Sequence, residues 1–285
     1  MKSKNATRSR RHRILGCFAA FLGTSLGGLG AAVLIEGCSS ESTGGDRVVL
    51  HTRVEQDPEA AGSFVSPSGW KVTLSRAVVS TGEFYYFDGV PPLVLAPRSR
   101  GWELAQHWLG LDTAHAHPGH YQAGNALGQM LNPWSVNLLA AAATLADGSG
   151  VTGTYRSAQF SFKSPPVGPA ASELAGHVVI AEGMAEKDGE DTRFFRALAD
   201  LSDVEENAAD GQIAGCEFVE ADVESDGVVT VRVNPKIWFN LVDFAQADVG
   251  SADEPAEFAR DSQPKIAFAL GVTQLSAYEF SYSKQ

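Results

Sequence analysis

Sulfur is scarce in this 285-residue chain, which holds three cysteines and three methionines. Cys17 and Cys38 fall near the N-terminus, and Cys216 stands alone in the rest. The body of the chain therefore has no internal disulfide to expect, whatever its redox compartment. A domain of roughly 240 residues can hold a core without such staples. Cys216, near Ile213 and Phe218, reads as a buried apolar filler rather than a nucleophile. Basic residues are also in deficit: 22 Lys and Arg face 34 Asp and Glu, a formal charge of −12. Six of those bases and one of those acids lie in residues 1–37, so the remainder keeps 16 against 33, or −17. That balance argues against nucleic acid or an anionic lipid surface as partner of the main domain. No Gly-x-Ser-x-Gly nucleophile elbow, phosphate-binding glycine loop or haem-attachment motif is present. No repeat or second composition regime divides the chain, so one domain is expected.

What is present begins with a basic N-terminus: Lys2, Lys4, Arg8, Arg10, Arg11 and Arg13, with no acid, run into an apolar, Gly-rich stretch over residues 14–35. This is the order of an export signal. The stretch ends at Leu34-Ile35-Glu36-Gly37-Cys38, which resembles the lipobox of bacterial lipoproteins, although Glu36 departs from the small or apolar residue usual there. The resemblance implies a signal segment over 1–37 and lipidation of Cys38. Because Ser39 and Ser40 follow the cysteine without the inner-membrane retention Asp, it also implies the periplasmic face of the outer membrane or the cell surface. An uncleaved membrane anchor is the alternative, since about 20 apolar residues can span a bilayer. Ser9-Arg10-Arg11 also resembles a twin-arginine signal, with Arg13 where that motif has an apolar residue. Residues 38–46 then read as a polar tether.

From residue 47 to 285 the pattern is mainly β. Apolar residues recur with period two at Val48, Leu50 and Val54, and at Trp70, Val72, Leu74, Ala77 and Val79. Further strands are expected over 84–87, 136–141, 155–162, 177–184, 193–198, 228–233, 266–270 and 277–282. Asp-Gly pairs at 88–89, 147–148, 188–189, 210–211 and 226–227 suit tight hairpins, the clearest joining 177–186 to 191–199. Helices are expected over 102–109, 125–131 and 235–246, the last after an Asn-Pro start signal. The expected fold is an antiparallel β-sandwich or barrel-like single domain with a few short helices.

The one concrete chemical signal is a cluster of four histidines, His107, His115, His117 and His120, within fourteen residues. Pro118-Gly119 suits a type II turn that brings His117 and His120 together. Pro118 also biases the residue before it toward extended geometry, which puts His115 and His117 on one side of the chain. Three imidazoles converging in this way suit a late first-row metal, copper or zinc, with His107 as a further ligand or support. The competing reading is a solvated loop that binds nothing.

The run from Thr113 to His120 resembles the His-x-His-x-Asp-His loop of the metallo-β-lactamase superfamily, and Gly176-His177 resembles that family's next ligand. Such a resemblance implies metal-activated water and hydrolysis, but Gly119 stands in place of the ligand Asp and no histidine follows His177. The acids Glu220, Asp222, Glu224 and Asp226 superficially resemble the start of a calcium loop; Glu224 at position three and Val233 at position twelve depart from it. They read better as the solvated face of a strand. Three functions stay open: a metal-binding envelope lipoprotein, a non-catalytic structural or interaction module, and a metal-dependent hydrolase.

Overall fold

The computed structural model describes residues 45–92 and 123–285. In chain order its first strands are β1 (Arg47–Gln56), β2 (Ser63–Val65), β3 (Lys71–Thr81), β4 (Phe84–Phe87), β5 (Ala126–Met130), β6 (Trp134–Asn137), β7 (Ala143–Thr144) and β8 (Gly148–Val151). They continue as β9 (Gly153–Ser161), β10 (Val179–Glu186), β11 (Arg193–Ala199), β12 (Gln212–Val223), β13 (Gly227–Val233), β14 (Ala256–Glu257) and β15 (Tyr278–Lys284). The α-helices among the described residues are short: α1 (Leu201–Glu205), α2 (Pro235–Trp238) and α3 (Gln263–Val272).

Eight strands close into a barrel in the order β13-β15-β12-β9-β4-β5-β8-β1, with β1 returning to β13. Closure runs over seven parallel pairs, from Leu50 opposite Gly227 to Gln56 opposite Val233. Strict alternation makes it possible: Val48, Leu50, Thr52 and Val54 are buried on β1, and Val229, Val231 and Val233 on β13. An eight-stranded barrel is just wide enough for side chains to fill. Here Phe84, Tyr86, Tyr155, Phe160, Phe218 and Phe280 fill it with stacked and edge-on rings. β8 and β7 share the flank of β1, pairing with its Arg47–Leu50 and Arg53–Val54 portions in turn. Most ladders of the barrel are antiparallel; within it β1–β13 and the two-residue β12–β15 ladder run parallel.

The second sheet has the order β14-β11-β10-β3-β2, with β6 also on β3. Its inner face shares one continuous core with the barrel. That core is completed by Phe239, Phe244, Phe258 and Phe268, packed around Phe195. Its outer face carries three rows across β3, β10 and β11. Val78, Ile180 and Leu198 form one row, covered by Ala170 and Leu174 of the chain itself. In the middle row the Glu182 carboxylate accepts from Arg76 Nη1 at 3.1 Å and Arg196 Nε at 2.6 Å. The third row, Thr73, Met184 and Phe194, is open.

Several expected elements change identity. The segment expected as a helix over 125–131 holds β5 instead, because Ala126–Met130 pairs with β4 and β8 on its two flanks and Gly128 lets Tyr86 and Tyr155 pack against the backbone. Residues 266–270 lie in α3 rather than a strand. Ser262 caps this helix and Pro264 opens it, and a continuous apolar run carries no period that separates the two states. Helix α2 stops at Trp238, and the chain resumes only as a 3₁₀ turn over Phe244–Gln246, capped by Asp243. Strand β6 ends at Asn137, whose Oδ1 accepts from Leu139 N at 3.0 Å. The Asp188-Gly189 hairpin joins β10 to β11 as expected. Asp226-Gly227 joins strands that are not neighbours, since β15 inserts between β12 and β13 and Tyr282 donates its hydroxyl to Ser225 O at 2.9 Å.

Candidate functional site

The histidine segment is an insertion in the β4–β5 hairpin, and the described residues show how its base is built. Asp88 N donates to Asn125 O at 3.2 Å and Gly89 N to Ala123 O at 3.0 Å. The Asp88 carboxylate accepts from Asn125 N at 2.7 Å and Asn125 Nδ2 at 2.9 Å. Gly124 is obligatory here: its φ is +78°, and a Cβ would stand 2.1 Å from Asp88 Oδ1. Ser157 Oγ donates to Gly89 O at 2.6 Å and ties the stem to β9. The Asp88-Gly89 turn is visible in sequence; its partnership with Gly124-Asn125 across the insertion is not.

His107, His115, His117 and His120 lie outside the described residues, as do Cys38, the lipobox-like run and the helix expected over 102–109. Of the remaining candidates, His177 Nδ1 lies 2.6 Å from Asp200 Oδ1, at the cap of α1. His51 Nδ1 lies 2.6 Å from Asp147 Oδ1 in the break between β7 and β8. Neither histidine joins a group of three or more His, Cys, Asp or Glu side chains able to hold a metal ion, and no such group exists among the described residues. Asp222 accepts from Thr154 Oγ1 at 2.6 Å and Asp226 from Val49 N at 2.7 Å, so these acids serve neighbouring strands rather than an ion loop. Cys216 is fully buried in the barrel, and burial pushes its thiol up to about 12.

No known protein family, curated protein or solved structure matches the chain. The buried tyrosines of the barrel are poor acids. Desolvation pushes Tyr155 up to about 12 and drives Tyr86 and Tyr278 higher than an ordinary tyrosine. Recesses are on the outside. The open row of the second sheet forms an apolar groove of about 240 Å³, with Met184, Phe194 and Pro255 among its walls. At its floor the ladder shifts register at Gly183, where a Cβ would stand 2.2 Å from Thr73 O. Neither this groove nor the stem was legible in sequence, because each depends on which distant strands become neighbours. No helix among the described residues is long and apolar enough to cross a membrane.

Proposed function

We propose that this chain is an exported, lipid-anchored cell-envelope protein whose barrel domain presents a late first-row metal site, copper or zinc, on the β4–β5 insertion. His115, His117 and His120 would be the inner ligands and His107 a supporting one. The observation that favours this reading is the stem. Backbone pairing and the bidentate Asp88 grip on Asn125 hold the two ends of the insertion together, which lowers the ordering cost of bringing its ligands to one ion. The export signal and Cys38 supply the lipid anchor in the same reading.

Protein purified without a histidine tag is expected to take up one equivalent of metal by elemental analysis. Affinity should fall as pH drops through about 6.5, where imidazole protonates and ceases to ligate. Alanine at two of the three inner histidines should remove the metal and leave the β spectrum unchanged. Fatty-acid labelling should mark the wild type, and Cys38→Ser should abolish it. A second reading, a non-catalytic interaction module, is favoured by the apolar groove on the second sheet. Failure of the wild type to hold stoichiometric metal at neutral pH would replace the first reading with this one.

A further inference from the structure

The barrel wall breaks a pairing rule at one place. The β12–β15 ladder is two residues long, and one of its two pairs sets Glu217 directly opposite Glu279. Phe218 and Phe280 of the other pair are buried in the core, so alternation places both carboxylates side by side on the outer wall. Like charges directly opposite each other destabilise a sheet. Arg232 relieves only part of this, because its Nη1 reaches Glu279 at 3.1 Å while its Nε is given to Glu55 at 3.3 Å. Glu217 has no ion pair among the described residues.

Val90, Pro91 and Pro92 cross this part of the wall and, with Leu275, enclose a recess of about 330 Å³ that both glutamates line. A hard divalent cation gains nothing from proline walls and asks for six or more oxygen ligands, which two carboxylates do not supply. An organic cation uses both features, its charge on the carboxylates and its methylenes against the prolines and leucine. We propose that this recess binds a guanidinium or ammonium group carried on an apolar stem, with Glu217 as the principal contact and Glu279 as the second. The ligand comes from outside the chain; this site is independent of any metal on the insertion.

The test is calorimetric titration of the full-length protein with n-butylguanidinium. Saturable binding is expected, weakened about tenfold by Glu217→Gln, as loss of a charged hydrogen-bond partner predicts, and weakened by salt. The same substitution removes the like-charge pair, so in the absence of ligand it should raise Tm by about 1–2 °C. Stability rising while binding falls is a signature that a purely structural glutamate would not give. The proposal is overturned if the wild type shows no saturable binding, if Glu217→Gln binds equally well, or if a divalent metal displaces the ligand stoichiometrically. It is also overturned if only an Arg98→Gln/Arg100→Gln variant binds, because the chain's own arginines would then be the occupants.

Discussion

The barrel and the second sheet bury their aromatic rings by different means. Barrel rings come from alternate positions of strands that close on themselves, so the pleat alone dictates that Phe84, Tyr86, Phe160 and Phe280 meet. In the second core Phe195 comes from a strand, but Phe239, Phe244, Phe258 and Phe268 arrive on short helices and connecting turns. Closure leaves the barrel without a free edge, and its surface features are confined to its outer wall. The second sheet keeps an outer face, one row of which the chain covers itself while another is left as a groove. The difference shows in where two of the recesses lie: one where chain crosses the barrel wall, and one where a row of the second sheet is left uncovered.

The largest effects should come from testing whether the two cores are one. Phe160 touches Phe84, Phe162 and Tyr278 with ring centroids 5.2, 5.1 and 4.1 Å away. Phe195 touches Phe239, Phe244 and Phe258 at 5.2, 5.1 and 5.7 Å. Phe160→Ala and Phe195→Ala should each cost about 3–5 kcal/mol. Since the buried residues of both regions form one continuous cluster, each variant should shift one shared calorimetric transition. Two transitions, each moved by only one substitution, would divide the domain.

What sequence reasoning recovers follows the same division. β1 and β13 are legible because buried residues recur at every second position, β9, β10 and β11 keep part of that period, and the Lys187–Glu190 turn gives its hairpin away. The apolar run Ile266-Ala267-Phe268-Ala269-Leu270 is not, because buried helices and buried strands both produce it. β5 fails for the opposite reason: five residues with Gly128 at their centre hold too little pattern to decide, and two neighbouring strands decide for them. At the site level the histidines are legible as residue types, whereas the stem that carries them joins residues 37 positions apart. The facing of Glu217 and Glu279 depends on β15 inserting between β12 and β13, which local sequence does not encode.

A smaller effect should separate the two regions by pH. Lys265 of α3 donates to Asp203 Oδ2 at 2.6 Å and to Leu198 O at 2.7 Å, binding the helices to the second sheet. Burial alone would raise the Asp203 carboxyl, but the Lys265 hydrogen bond, the Asp200 amide and the charges of Lys265 and Arg260 together hold it below its ordinary value. A carboxyl lowered on folding contributes stability above its unfolded value, about 3.9, and loses it as pH falls through the lower folded value. Asp203→Asn should therefore cost about 1–2 kcal/mol at neutral pH and flatten the acid limb of the stability curve. An acid limb unchanged in the variant would show that this clasp is not what titrates.

The smallest effects lie inside the barrel, where two tyrosines test whether the frame depends on hydrogen bonds at all. The Tyr155 hydroxyl lies 2.9 Å from both Leu127 O and Val151 O, bridging β5 to the end of β8 where those strands stop pairing. The Tyr86 hydroxyl is completely buried and has no well-formed hydrogen bond, although it faces Thr52. A buried hydroxyl that makes no bond has lost its hydration without compensation, so removing it should cost little or be favourable. Tyr155→Phe should cost about 1 kcal/mol and Tyr86→Phe within about 0.5 kcal/mol of nothing, with stabilisation the expected sign. Urea unfolding of the two variants side by side measures the difference. Equal losses would mean that Tyr86 holds a buried water in solution, since one bridging water would restore the hydrogen bond its protein neighbours do not make.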